Sequence, residues 1–364
     1  MSRRPDRKVP ADSRTMVDGL VSTWLVRAVA VALPAFLLLL FALAPPLAAI
    51  DRDGVRVESL TLPDGRRPEG VPLLVRFREH ARGPLPVVLV SHGLGGSDTA
   101  FEALSLQLAD QGYAVIHVTH ADRERFREAM AERGRGGDRQ AFRRSSPQGP
   151  MGPVDPNGGG LILDRLADLR RILDGFREIE AKIPGLHLDR ARIGIVGHSA
   201  GALTAALAVG AEPVGPDGRL HSFRDPRFKA AVLISPQGRG RPTFREDSWR
   251  HMDGPVLSIT GSADISPIDR RETPETRQDP FRLSPPGDEY LLFIEGATHG
   301  SYQGHALPGE TIRPEVLRQV ADATAVATTA FFDAYLKGET DAKALLRANP
   351  FARLAPGKVR WERR

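Results

Sequence analysis

The chain has 364 residues, 41% of them apolar, 26% charged and none cysteine, with a formal net charge of +5. This length suits one large α/β domain as well as two domains of about 150 residues each, and the apolar share suits an ordinary globular core rather than disorder or a multi-span membrane protein. Without cysteine there is no disulfide framework, no thiolate nucleophile, no Cys-ligated metal and no lipid-modified Cys.

The basic balance would point to nucleic acid or anionic lipid only if it formed one patch. Residues 1–27 hold six Lys or Arg against three acidic residues, residues 28–49 hold no charge, and the remainder from Ile50 carries 44 basic and 42 acidic residues. The apolar run Ala28–Ala44 follows this positive flank and ends in Pro45-Pro46-Leu47-Ala48-Ala49, the layout of an export signal with cleavage after Ala49. The uncharged stretch is also long enough to stay as an uncleaved membrane anchor. Residues 1–49 are therefore read as signal peptide or anchor, and residues 50–364 as a catalytic domain exported to the periplasm or medium, or tethered outside the cytoplasm. Met16 is an alternative start. Ser2-Arg3-Arg4 is discounted as a twin-arginine signal, because Asp6-Arg7 stands where an apolar pair is needed.

From Ile50, short β-branched runs alternate with amphipathic segments. Val55–Thr61 and Val71–Arg78 read as antiparallel strands around a Pro63-Asp64-Gly65 turn. Pro86–Val90 is a continuous apolar run, as a strand buried on both faces requires. A helix is expected over Thr99–Gln111, opened by a Thr99/Glu102 capping box and stopped by Gly112. Tyr113–Thr119 is the next strand, and Leu161–Ile183 reads as one long helix. The strands Arg192–Gly197, Phe228–Ile234, Pro255–Thr260 and Tyr290–Ile294 follow, with helices at Ala202–Val209 and Glu315–Leu336. Alternation of this kind means an α/β fold, a doubly wound, mostly parallel sheet with antiparallel N-terminal strands. Active sites in such sheets lie at the carboxyl ends of the strands.

The stretch 121–160 breaks the alternation with eight Arg, eight Gly and four Pro. It reads as a solvated insertion, or as a lid, because it leaves from the carboxyl end of a strand. Residues 237–254 and 265–288 read as further Arg- and Pro-rich loops.

Gly197-His198-Ser199-Ala200-Gly201 stands directly between a strand and a helix. A serine on so sharp a turn lifts its hydroxyl clear of the sheet, and the residues two before and two after must be small, as Gly197 and Gly201 are. Such a serine needs a base within reach and a carboxylate to hold that base. His299, in Gly296-Ala297-Thr298-His299-Gly300 after the last strand, is the preferred base, with His305 as runner-up. Asp264, ending Val256–Asp264, is the preferred acid ahead of Asp225 and Asp253, which precede strands. His198 should point away from the nucleophile. The oxyanion donors are expected from the amide of Ala200 and from the glycine-rich loop Ser91-His92-Gly93-Leu94-Gly95-Gly96, with Gly93 easing the turn and His92 bracing it.

These residues resemble the α/β-hydrolase superfamily. The segments S-H-G-L-G-G, L-A-D-Q-G-Y-A-V and G-H-S-A-G look like its platelet-activating-factor acetylhydrolase and dienelactone-hydrolase-like branch, over roughly Pro86 to His299. The resemblance implies Leu94 and Ala200 as oxyanion donors, with Ser199 and His299 as nucleophile and base. One departure stands out: the acetylhydrolases carry their acid after the strand that follows the nucleophile helix, where this chain has Ser235-Pro236-Gln237. Phospholipid specificity is therefore not carried over, and dienelactone hydrolases proper use a cysteine that this chain lacks.

The expectation is a serine ester hydrolase working through an acyl-enzyme on a small-molecule or lipid-like ester. No cofactor or metal is implied, and membrane contact is confined to an uncleaved N-terminal segment. A peptidase, thioesterase or polyester hydrolase would use the same residues, and a non-catalytic binding member of the fold is the rival from another class. No nucleic-acid partner is expected, since Arg residues alternate with Asp and Glu rather than forming a basic face with stacking aromatics.

Overall fold

The computed structural model describes residues 54–123, 154, 160–239, 243–266, 271–307, 309–349, 351 and 358–364. The readings of residues 1–49, and of nearly all of 121–160, lie outside the described residues. Among the described residues nine strands form one sheet: β1 Val55–Asp64, β2 Arg67–Arg78, β3 Leu85–Ser91, β4 Ala114–Val118, β5 Leu188–His198, β6 Phe228–Ile234, β7 Val256–Ala263, β8 Glu289–Thr298 and β9 Val359–Arg363. Their order is β1-β2-β4-β3-β5-β6-β7-β8-β9. The central strands run parallel, while β1, β2 and β9 join antiparallel.

The apolar runs form these strands because the sheet is covered on both faces. In β3, Val87 and Leu89 enter one core together with Leu166, Leu203 and Trp249, while Val88 and Val90 enter the other with Tyr113, Phe331 and Phe332. The helices are α1 Glu102–Asp110, α2 Leu161–Asp174, α3 Phe176–Lys182, α4 Ala200–Ala208, α5 Asp279–Leu283, α6 Pro314–Phe332 and α7 Thr340–Arg347. Among the described residues no helix is long and apolar enough to cross a membrane.

Four expectations are corrected. The Thr99/Glu102 capping box does not form: α1 starts at Glu102 behind Phe101, which sits at φ 59° without a side-chain cap. Phe101 is buried with its ring edge-on to that of His198, and this packing outweighs the local cap. The single helix over Leu161–Ile183 is two helices divided at Gly175, where a Cβ would stand 2.5 Å from Arg171 Nη1 and 2.9 Å from Leu62. The stretches 237–254 and 265–288 are not merely solvated loops, for they carry the fully buried Trp249 and Arg277. Lastly, α7 and β9 follow Gly338, beyond the last expected element.

Strand order reverses at β3, whose neighbours are β4 and β5, and this opens a crevice at the carboxyl ends. Register brings the site together there. Ser91 of β3 pairs with Gly197 of β5, and Ala263 of β7 pairs with Thr298 of β8. Asp264 and His299 therefore leave neighbouring strands at the same level.

Candidate active site

Ser199 joins β5 to α4 at φ 54° and ψ −117°, a conformation that a non-glycine residue holds only under tertiary constraint. The constraint is visible on both sides. A Cβ on Gly197 would lie 2.0 Å from the Gly201 carbonyl oxygen, and one on Gly201 would lie 1.9 Å from that of Ser91. Strand and helix thus touch backbone to backbone, and the Ser199 amide donates to Ile234 O across β6 at 3.0 Å.

His299 Nε2 is 3.0 Å from Ser199 Oγ, and His299 Nδ1 is 2.9 Å from Asp264 Oδ1. With Nδ1–H donating to the carboxylate, Nε2 is free to accept the serine proton, a tautomer assigned from this network. Asp264 is fully buried. Its Oδ1 accepts from Ser235 Oγ at 2.8 Å and lies 3.1 Å from Arg277 Nε; its Oδ2 accepts from Thr260 Oγ1 at 2.9 Å and Tyr302 OH at 3.1 Å. Burial acts to raise its pKa, but the Arg277 guanidinium and the bonds from His299 and Ser235 outweigh that and hold the carboxyl well below the usual range.

Several members of this cluster have no local sequence signature. Ser235 sits at φ 54°, and its Oγ lies 2.8 Å from His299 Nδ1 as well as from Asp264. Arg277 donates to the carbonyls of Asp264, Ser235 and Pro236 at 2.8–2.9 Å and pairs with Glu272 at 3.3 Å. His198 does point away from Ser199, and it has a task of its own. Burial and the neighbouring His299 push its pKa down to about 3, so it is neutral, and its Nε2–H donates to the His299 carbonyl at 2.8 Å. The competing candidates lie elsewhere: His305 is exposed, Asp225 pairs with Arg227 at 2.6 Å, and Asp253 pairs with Arg224 at 2.9 Å.

The loop after β3 runs beside the serine. A Cβ on Gly93 would lie 3.6 Å from Ser199 Cβ and 3.0 Å from His198 Nδ1. His92 braces this loop: its Nε2 accepts the His120 amide at 3.0 Å, so Nδ1 carries the proton and donates to Gly93 O at 2.6 Å. Ala200 is the first residue of α4, so its amide is one of those a helix leaves without an intrahelical partner. Beneath the loop lies a second serine–histidine–aspartate series, Ser91 Oγ to His120 Nε2 at 2.9 Å and His120 Nδ1 to Asp168 Oδ2 at 2.9 Å. All three are at most 1% exposed. They are closed off from solvent, and their bonds tie β3 to the residues after β4 and to α2.

The family model of platelet-activating factor acetylhydrolase, isoform II, matches residues 74–133. That segment holds the end of β2, β3, the glycine-rich loop, α1 and β4; the serine, aspartate and histidine of the cluster lie outside it. No curated protein matches the chain. The sheet and this match agree with the likeness carried by the S-H-G-L-G-G and L-A-D-Q-G-Y-A-V segments, and the architecture is that of an α/β-hydrolase. A hydrolase acting on esters is the activity that this likeness supports.

Proposed function

We propose that this α/β-hydrolase fold, similar to platelet-activating factor acetylhydrolase over residues 74–133, is a serine hydrolase that cleaves carboxylic esters through an acyl-enzyme. The reading rests above all on the continuous chain from Ser199 Oγ through His299 to Asp264, with links of 3.0 and 2.9 Å. Ser199 attacks the ester carbonyl while its proton passes to His299 Nε2. Asp264 steadies the imidazolium. The Leu94 and Ala200 amides take the charge on the carbonyl oxygen. Collapse of the tetrahedral adduct releases the alcohol, which takes the proton from His299 and leaves the acyl group on Ser199. Water then attacks, gives a proton back to His299, and the acid leaves as Ser199 is regenerated.

The substrate is a small or lipid-like ester, and phospholipid specificity is not carried over, because the strand after the nucleophile helix runs into Ser235-Pro236-Gln237, without the carboxylate that the acetylhydrolases carry there. The basic flank and uncharged run of residues 1–49 support a domain carried outside the cytoplasm, either cleaved free or tethered; N-terminal sequencing of the exported protein decides which. Ser199→Ala should abolish p-nitrophenyl ester hydrolysis and fluorophosphonate labelling while leaving the melting temperature close to native. Labelling that survives in the folded variant would refute the assignment.

A further inference from the structure

Arg165 is a guanidinium with 1% exposure, and its partner Asp122 is 4% exposed. They are joined twice, Nε to Oδ1 at 3.0 Å and Nη2 to Oδ2 at 2.8 Å. Sequence reasoning gives neither residue a role: Asp122 lies at the start of the 121–160 stretch and Arg165 just after its end. Burying such a pair is costly, and apolar residues of similar volume often serve stability as well or better. Its contacts show what the pair holds in place. Arg165 Nη1 donates to His92 O at 2.6 Å, Nη2 donates to Gly93 O at 3.2 Å, and Asp122 Oδ2 accepts the Gly95 amide at 3.3 Å.

These three bonds fall on three consecutive peptide units, 92–93, 93–94 and 94–95. A peptide unit is planar and trans, so its carbonyl and amide point in opposite directions. The Gly93 carbonyl is drawn back by Arg165 and by His92 Nδ1; the Leu94 amide of the same unit therefore faces away from Arg165. Among the described residues that amide has no hydrogen-bond partner. Gly93 meanwhile lies against Ser199.

We propose that the Asp122–Arg165 ion pair is the device that positions the oxyanion-binding amide, clamping the backbone on both sides of Leu94 so that its N–H is aimed before substrate arrives. The proposal rests on the serine-hydrolase reading above. Arg165 and Asp122 act through the backbone and are positioning residues. A donor fixed in advance needs no reorganisation as charge develops, which is why one such amide commands a large rate factor.

The test uses Arg165→Met, Arg165→Lys and Asp122→Asn in the full chain, with p-nitrophenyl acetate as substrate. Butylboronic acid is the inhibitor, since its serine adduct puts an oxygen where the oxyanion would sit. In Arg165→Met, kcat should fall by about 10²-fold with KM within about threefold, and boronate affinity should fall by a similar factor. Asp122→Asn should lose about tenfold in both, and Arg165→Lys, which can still hold one carbonyl, should recover about tenfold over Arg165→Met. A lowered melting temperature with native kcat and boronate affinity in the folded protein would overturn the proposal. If Arg165→Met does not fold, Arg165→Lys decides on the same two readouts: matched losses support the clamp, and native values refute it. Ser199→Ala run in parallel separates the two ideas. Turnover surviving there sinks the serine reading, whereas an inactive Ser199→Ala beside a fully active Arg165→Met sinks the clamp alone.

Discussion

Ser235 opens the Ser235-Pro236-Gln237 stretch that follows β6, and its hydroxyl oxygen lies 2.8 Å from both His299 Nδ1 and Asp264 Oδ1. One ring nitrogen is thus within reach of side chains from the ends of two different strands, β6 and β7. The backbone there has φ 54°, a region that Asp enters more readily than most residues. A carboxylate carried at 235 can therefore take over the orientation of His299. Asp264→Asn alone should lower kcat by about 10³–10⁴-fold, through the wrong tautomer of the base. Adding Ser235→Asp should return at least about tenfold of that loss, read as kcat on p-nitrophenyl acetate; equal activity of the single and double variants would refute the exchange. Ser199, Asp264 and His299 are legible in the sequence because each follows directly on a buried strand whose apolar run is plain. Ser235, Arg277 and Arg165 are not, because their partners lie 29, 13 and 43 positions away and no local spacing encodes them.

The strands are legible as elements for the same reason, since a run buried on both faces must be apolar throughout, as in Val87–Val90. Helix ends are less so: the Thr99 cap yields to the burial of Phe101, and Gly175 divides a helix because Leu62 stands where a side chain would go. Strand β9 sets charged residues on either side of one buried Trp361, a pattern too short and polar to stand out before it pairs with β8. Strand β8 itself begins with a costly residue. Glu289 is 1% exposed, and among the described residues neither carboxyl oxygen has a hydrogen-bond partner. Burial raises its pKa well above the ordinary range, against a weaker pull from Arg364. A raised folded pKa contributes stability that is complete below the unfolded value near ~4.3 and is lost as pH rises through the folded value. Glu289→Met removes both the unpaired group and this penalty. It should stabilise the fold by about 2 kcal/mol at pH 8 and by less at pH 5, measured by urea unfolding; a gain independent of pH would show that Glu289 does not titrate as described.

Among the described residues the buried histidines whose pKa is depressed outnumber the buried acids whose shift opposes them. His92, His117, His120 and His198 all have pKa values pushed down, in each case chiefly by burial. For a depressed histidine the unfolded chain takes up a proton below about pH 6.5 while the folded protein does not. Stability is therefore present above that pH and falls by about 1.4 kcal/mol per unit per histidine below it. Asp168 has the opposite sign. Burial, opposed by Arg67 and Arg66, pushes it up to about 6, so its contribution grows as pH falls through that value, and Glu289 acts in the same sense. Four buried histidines against two buried acids leave a net uptake of protons on unfolding in mildly acidic solution. Asp122 and Asp264, held low by Arg165 and Arg277 against the cost of burial, add to the loss only below about pH 4. Stability should accordingly peak close to pH ~7 and drop steeply between ~6 and ~5. His117 tests the account most directly, because it is buried in β4 and among the described residues neither ring nitrogen has a hydrogen-bond partner. His117→Leu gives up no bond and should remove close to one proton from the slope, so that its advantage over the native chain is about 2 kcal/mol larger at pH 5 than at pH 7. Urea unfolding across that range reads the slope directly, and an unchanged slope in the variant would refute the assignment of acid lability to the buried histidines.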